Sequence, residues 1–227
     1  MPDITVVVTA KDRCEWLNRC LTGLAALANR PAVVVVDHGS TDSTSRMVSR
    51  DFPQVRLLRR QPGNVPEARN AGIAAAATPF VALAEVDSGW APGSLDKGLE
   101  VMHRYERLAV IAARTLAGKE RQPDPITKFM ASATEGVEND LPGPSVQVFR
   151  ASSAILRRDA FLEVGGFDPA ASPNGPTRQL AADLSRAGWG LAYVAEIVAY
   201  SARPQLPAHK PREVVLRRKY EVKRHGG

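Results

Sequence analysis

Apolar positions along this chain switch between two periods, and the switching predicts an alternation of strands and helices. Ile4–Thr9 is a β-branched run, as a strand requires. Asp12-Arg-Cys-Glu15 follows, an acidic N-cap with Glu three residues on, which predicts a capping box. Leu17, Leu21, Leu24, Leu27 and Ala28 then recur at helical spacing, predicting a helix to about Asn29. Ala32–Val36 is wholly apolar, as a parallel strand buried on both faces would be. Asp42 is placed to cap a short helix through Met47 and Val48, and Val55–Leu58 reads as a third strand. Pro66 opens a helix over Glu67–Ala77, where its missing N–H costs nothing. Phe80–Ala84 (strand), Ser94–Tyr105 (helix) and Leu108–Ala113 (strand) continue the pattern. The alternation predicts an α/β fold: an open, mostly parallel, twisted sheet flanked by helices on both sides.

The regularity stops at Leu116. Leu116–Ser145 carries prolines and little periodicity, and reads as a long functional or mobile loop. Ser152–Leu156 (strand), Arg158–Val164 (short helix), Thr177–Ala187 (helix) and Leu191–Val194 (strand) follow it. No linker, repeat or low-complexity tract interrupts residues 1–203, which predicts one domain followed by a tail over 204–227.

Composition narrows the class. Hydrophobic residues at 44 % and charged residues at 24 % are the ordinary mix of a folded soluble chain. The uncharged stretch Ala71–Ala84 is too short to span a bilayer and is broken by Thr78-Pro79. The N-terminus shows no leader pattern. Two cysteines, Cys14 and Cys20, would fall on different faces of one helix, which excludes a disulfide scaffold or zinc ribbon. A cytoplasmic protein is the expectation. The formal charge of +6 is concentrated at one end: seven Lys/Arg against two Asp/Glu between His209 and Gly227 leave only +1 for the rest. A nucleic-acid binder would spread that charge over a folded face, so none is expected. The tail reads as a solvated extension, or as a contact with lipid headgroups at a membrane surface, a polyanion or the bound substrate's phosphates.

Ligands of a parallel α/β sheet bind outside the carboxyl ends of its strands, and polar residues cluster there. Thr9-Ala-Lys-Asp-Arg13, Asp37-His-Gly-Ser-Thr-Asp42, Asn64-Val-Pro-Glu-Ala-Arg-Asn70 and Glu85-Val-Asp87 all stand near strand ends. Asp37 and His38 are suited to reading a base or ribose, and Arg13 and Arg69 to neutralising phosphate. Glu85 and Asp87 are acids spaced to hold a divalent cation against a diphosphate. A Gly-x-Gly-x-x-Gly after the first strand, a P-loop and a Gly-x-Ser-x-Gly are all absent, which removes dinucleotide, P-loop and α/β-hydrolase readings. The histidines, His38, His103, His209 and His225, lack metal-ligand spacing.

In their order and spacing, these fragments resemble the family 2 glycosyltransferases of the GT-A fold. Ala-Pro-Gly-Ser-Leu95, Leu-Arg-Arg158 to Val-Gly-Gly-Phe-Asp168 and Arg-Ala-Gly-Trp189 extend the likeness over about residues 3–200. The resemblance implies a nucleotide-sugar-binding half over 1–115 and an acceptor half over 116–203. It implies inverting transfer of a sugar from a nucleoside-diphosphate donor to an acceptor hydroxyl, with Mg²⁺ or Mn²⁺ on the diphosphate. The acceptor would be a sugar, a lipid-linked molecule or a small molecule. Thr9, Asp12, Arg13, Asp37, His38, Gly39, Arg69, Glu85, Val86 and Asp87 would hold the donor, with Asp87 and Glu85 on the metal. The protein would work in the cytoplasm or at the inner face of the membrane.

Three positions depart from the family's pattern. Its run of three Asp reads Glu85-Val86-Asp87, and His38 replaces an Asp or Asn that reads the base. Thr177 stands where the family carries the general-base Asp, and Asp183 and Asp168 are the weak substitutes nearby. Two functions therefore stay open: a working transferase, or a non-catalytic relative that binds a nucleotide sugar or a protein partner. Ser152 and Ser153 are further candidates for an acceptor cleft, and Trp189 reads as core packing.

Overall fold

The β-branched and alanine-rich runs do form the centre of a sheet. The computed structural model describes residues 3–132, 140–171 and 175–202. In chain order its elements are β1 (Ile4–Ala10), α1 (Cys14–Ala25), β2 (Ala32–Asp37), α2 (Thr44–Asp51), β3 (Arg56–Arg59), α3 (Val65–Ala75), β4 (Phe80–Glu85) and β5 (Ser88–Trp90). They continue with α4 (Ser94–Arg104), β6 (Leu108–Ala117), β7 (Gln122–Pro123), α5 (Pro125–Ala131), a 3₁₀ turn (Ala151–Ser153), β8 (Ala154–Arg157), α6 (Arg158–Glu163), α7 (Pro176–Arg186) and β9 (Gly190–Ser201). One sheet runs in the order β3-β2-β1-β4-β8-β6-β9-β5, with β7 hydrogen-bonded beside β6. β3, β2, β1 and β4 are mutually parallel, as is the β6–β9 pair. β8, β5 and β7 join antiparallel. The likeness to GT-A folds therefore extends to a curled sheet with helices on both faces.

Each face has its own core, because strand residues alternate sides. Val6, Val8 and Val35 pack under α1, α2 and α4, whereas Val7, Val34 and Val36 pack under α3. Leu17, Leu21 and Leu24 of α1 are each at most 2 % exposed, a burial worth about 1.5–3 kcal/mol apiece. Gly72 allows α3 to press onto the sheet, since a Cβ there would run into Val7 and Val36.

Several expected boundaries move. The capping box at Asp12 does not form: α1 begins at Cys14 with Arg13 as N-cap, and Asp12 sits at φ 50°. Asp12 instead accepts from the backbone N–H of Thr41 (2.7 Å), while Asp42 accepts from the N–H of Cys14 (3.3 Å). The two loops thus cap one another, and Asp42 also accepts from the Thr44 N–H at the start of α2. α1 ends at Ala25, four residues before Asn29. The region expected to be a loop from Leu116 contains β7 and α5, whose N-cap Asp124 accepts from the Thr127 N–H at 2.7 Å. β6 and β9 are longer than their apolar cores, and pair through a register shift between Ala113 and Arg114. Ser152 and Ser153 belong to the 3₁₀ turn, and β8 starts only at Ala154.

Two consecutive arginines, Arg157 at the end of β8 and Arg158 at the start of α6, reach different helices. Arg157 donates to the carbonyls of Met102 (2.8 Å), Tyr105 (3.0 Å) and Leu108 (3.0 Å), closing the end of α4. Arg158 donates to Ile73 (3.0 Å) and Ala74 (2.9 Å) at the end of α3. Cations satisfy orphan carbonyls at helix C-termini in this way. Cys14 and Cys20 are both free thiols, and burial pushes that of Cys20 up to about 12.

Candidate functional site

A cavity of about 650 Å³ opens at the carboxyl ends of β1, β2 and β4. Thr9, Lys11, His38, Glu85 and Val86 line it from the strand ends, and Asn64, Val65, Pro66 and Arg69 from the start of α3. Pro169, Ala171 and Pro176 close the far side.

The walls are fixed by named contacts. Asn64 caps α3 by accepting from the Glu67 N–H at 2.9 Å, with Glu67 returning to the Asn64 N–H to complete a capping box. The Asn64 amide also donates to the Pro169 carbonyl (3.3 Å). One turn along, Asn70 donates to the Phe167 carbonyl (2.7 Å) and accepts from the Phe167 N–H (3.0 Å). The Gly-Gly-Phe-Asp segment is therefore tied to the same helix that carries Arg69. Arg69 is held between the carboxylate of Glu85 (2.8 Å) and the ring of Phe167, 5.8 Å from its centroid.

His38 is 8 % exposed, with Nδ1 lying 3.2 Å from the Gly63 carbonyl. A carbonyl only accepts, so Nδ1 carries the proton in this contact. Nε2 has no partner among the described residues.

Asp37 is buried, and both of its oxygens accept hydrogen bonds within its own loop, from the Ser40 N–H (2.8 Å) and the Ser45 hydroxyl. Burial pushes its pKa up, but the hydrogen bonds from Ser45, Ser40 and Gly39 outweigh it and hold the carboxyl below its ordinary value. Gly39 sits at φ +101° with Pro62 against it, so the loop needs glycine there. Asp12 and Arg13 belong to the neighbouring loop, where Arg13 is exposed and its N–H donates to Thr44. Neither they nor Asp37 line the cavity.

The acid-x-acid pair is split. Alternation would put Glu85 and Asp87 on one side only if the strand continued. β4 ends at Glu85, Val86 and Asp87 form a turn, and β5 starts at Ser88. Glu85 lines the large cavity, Asp87 lines a second one, and Val86 borders both. No group of three or more His, Cys, Asp or Glu side chains gathers among the described residues. As placed, Glu85 and Asp87 border different cavities, and the Glu85 carboxylate is engaged by Arg69 at 2.8 Å.

The general-base position offers no carboxylate. Thr177 follows Pro176 at the start of α7 and borders the cavity only through that neighbour. Asp183 lies further along the same helix, engaged by Gln179 and Arg186. Asp168 accepts from the Ala170 N–H in its own turn (2.8 Å). The Ser153 hydroxyl is paired with that of Thr115 (2.7 Å), and the carbonyl of Ser152 accepts from Ser88, both inside the sheet rather than in a cleft. Trp189 packs against the α3-side core while its indole N–H donates to Glu163. Pro169, Ala171 and Pro176 were not foreseen as lining residues; the glycines and prolines around them carried the only signal.

The sequence pattern described as glycosyl transferase family 2 matches residues 5–165, most of the chain. This chain belongs to that family. It is 28 % identical over 246 residues to an N-acetylglucosaminyl-diphospho-decaprenol L-rhamnosyltransferase of Mycobacterium tuberculosis, covering 88 % of this chain and 76 % of that protein. It is 29 % identical to a pre-mycofactocin glycosyltransferase of the same species, over 90 % of this chain and 44 % of the relative. Among solved structures, the mannosyltransferase PcManGT of Pyrobaculum calidifontis, in complex with GDP-Man and Mn²⁺, superposes with a TM-score of 0.70. That likeness has 18 % identity and covers 89 % of this chain and 57 % of the neighbour. S. aureus TarS in complex with UDP-GlcNAc superposes with a TM-score of 0.68 at 15 % identity, over 91 % of this chain and 60 % of that one. These two likenesses establish the GT-A fold. The family makes the chain a glycosyltransferase. Among the described residues, no helix is long and apolar enough to cross a membrane.

Proposed function

We propose that this family 2 glycosyltransferase takes a sugar from a nucleoside-diphosphate donor held in the 650 Å³ cavity and transfers it, with inversion, to an acceptor hydroxyl. The observation that carries this reading is the convergence of Thr9, Lys11, His38 and Arg69 at the carboxyl edge of the parallel strands, within the span of the family pattern. His38 Nε2 accepts an N–H from the nucleobase. Lys11 and Arg69 face the phosphates. GDP-Man and UDP-GlcNAc, the molecules named with the two structural neighbours, are donors of this class. The acceptor is a lipid-linked sugar diphosphate, of the kind in the name of the mycobacterial rhamnosyltransferase, met at the cytoplasmic face of a membrane.

In the transfer, the acceptor oxygen bonds to the anomeric carbon as that carbon's bond to the diphosphate breaks. Negative charge grows on the departing diphosphate, and fixed cations facing it lower the barrier. With Thr177 at the base position, the hydroxyl proton leaves to water or to a substrate group. Loss of a positioned base typically costs 10²–10⁴-fold in rate, so slow turnover is expected.

Calorimetry with UDP, GDP and dTDP, with Mn²⁺ or EDTA, tests the donor cavity; no binding by any of them would refute the reading. Thr177→Asp tests the base position: transfer or donor hydrolysis should rise at least about tenfold, with an unchanged melting temperature. A second reading, a nucleotide-sugar-binding relative without turnover, is favoured by the same threonine. It would be supported by tight nucleotide binding with no donor consumed by either form.

A further inference from the structure

The second cavity lies on the other side of Val86 and holds about 370 Å³. Its walls come from several elements: α1 supplies Trp16 and Arg19, the β4–β5 turn supplies the Asp87 carboxylate, the turn between β6 and β7 supplies Arg121, and the end of β9 supplies Tyr200, so two guanidinium groups stand against one acid. Two features there have no explanation in packing. Trp16 is left 41 % exposed at its edge. Arg121 is held at φ 49°, a left-handed conformation that a non-glycine residue adopts at a cost. The turn imposes that conformation: the Arg121 N–H donates to the Gly118 carbonyl (3.3 Å), and the Gly118 N–H to the Ser201 carbonyl at the end of β9 (3.0 Å).

Each arginine lies over an aromatic ring. The guanidinium carbon of Arg19 is 5.7 Å from the Trp16 centroid, and that of Arg121 is 4.3 Å from the Tyr200 centroid. Neither arginine forms a salt bridge among the described residues. A guanidinium laid on a ring keeps its planar N–H fork for an incoming oxyanion, and the fork matches two phosphate oxygens. The remaining aromatic surface suits the apolar face of a pyranose ring. A cavity of this size takes a small ligand, not a polymer.

We propose that this cavity binds a phosphorylated sugar, the phosphate on Arg19 and Arg121 and the ring against Trp16 and Tyr200. It is the acceptor's phosphate-bearing end, brought to the opposite side of Val86 from the donor. The assignment rests on the transferase reading, but its ligand chemistry is testable without it.

The test titrates the full chain with glucose 1-phosphate by calorimetry while UDP or GDP saturates the donor cavity, with glucose as the uncharged control. Glucose 1-phosphate should bind without displacing the nucleotide, and glucose at least about tenfold more weakly. Arg19→Gln and Arg121→Gln should each weaken the sugar phosphate about tenfold and leave nucleotide affinity unchanged. Should Arg121→Gln unfold, Arg121→Lys keeps the charge without the fork and should fall in between. Displacement of the nucleotide, equal binding of glucose, or parental affinity in both glutamine variants would overturn the proposal. If no nucleotide binds, the transferase reading fails alone, and the same titration without nucleotide still decides the cavity. A prenyl-linked sugar diphosphate identifies the source: tighter binding than glucose 1-phosphate marks a lipid-linked acceptor, equal binding a free sugar phosphate.

Discussion

The two cavities flanking Val86 are built by different means. The donor cavity is set by packing and by hydrogen bonds that leave little slack: α3 is pressed onto β1 and β2 at Gly72, and Asn64 and Asn70 tie the 167–169 segment to that helix. The second cavity is assembled from surface pieces, a helix face, a hairpin turn and a strand end, with exposed arginines laid on rings. One is framed by hydrogen-bonded backbone and a packed helix, the other by side chains at the surface.

The largest expected effect comes from breaking the packed wall. Gly72→Val would drive side-chain atoms into Val7 and Val36, and overpacking of this sort costs about 1–3 kcal/mol. Urea unfolding should show a lowered midpoint. A milder change sharpens the contrast. Asn70→Ala removes both hydrogen bonds to Phe167, for about 2 kcal/mol. It should weaken nucleoside diphosphate binding and leave glucose 1-phosphate binding in the second cavity untouched; equal losses at both would show that the two are not separately built. The smallest effect concerns acid. The Asp37 carboxyl is depressed below 3.8 in the folded chain, so its stabilisation is complete above that value and is lost as pH falls through the lower, folded one. Asp37→Asn should therefore flatten the decline of melting temperature below about pH 4, with little change at neutrality.

These contrasts also explain what could be read in advance. The parallel block was legible because β1, β2 and β4 are dominated by buried apolar residues and α1 carries a one-sided stripe, so local pattern and global fold agree. The loops that build the donor cavity were legible for the same reason: they had to lie where those strands end. The errors came where tertiary contacts override local signals. Asp12 carries the right cap chemistry for its own helix but serves the neighbouring loop, a choice made by residues about thirty positions away. Glu85 and Asp87 stand two apart in sequence, yet the turn at Val86 sets them against different cavities. β7 and α5 were hidden by prolines that turn out to sit at a strand end and at the first turn of a helix, where the missing N–H is tolerated. The second cavity had no sequence signature, since its aromatic–arginine pairs meet across the fold or lie on an exposed helix face.

The adjacent arginines where β8 meets α6 carry a consequence for dissecting this molecule. At this junction Arg157, the last residue of β8, fastens the end of α4, and Arg158, the first residue of α6, fastens the end of α3. Fragments cut between them would each inherit one clasp without its mate, whereas fragments divided after Arg158 keep both clasps on the same piece. Complementation from two separately expressed polypeptides should succeed only with the second division.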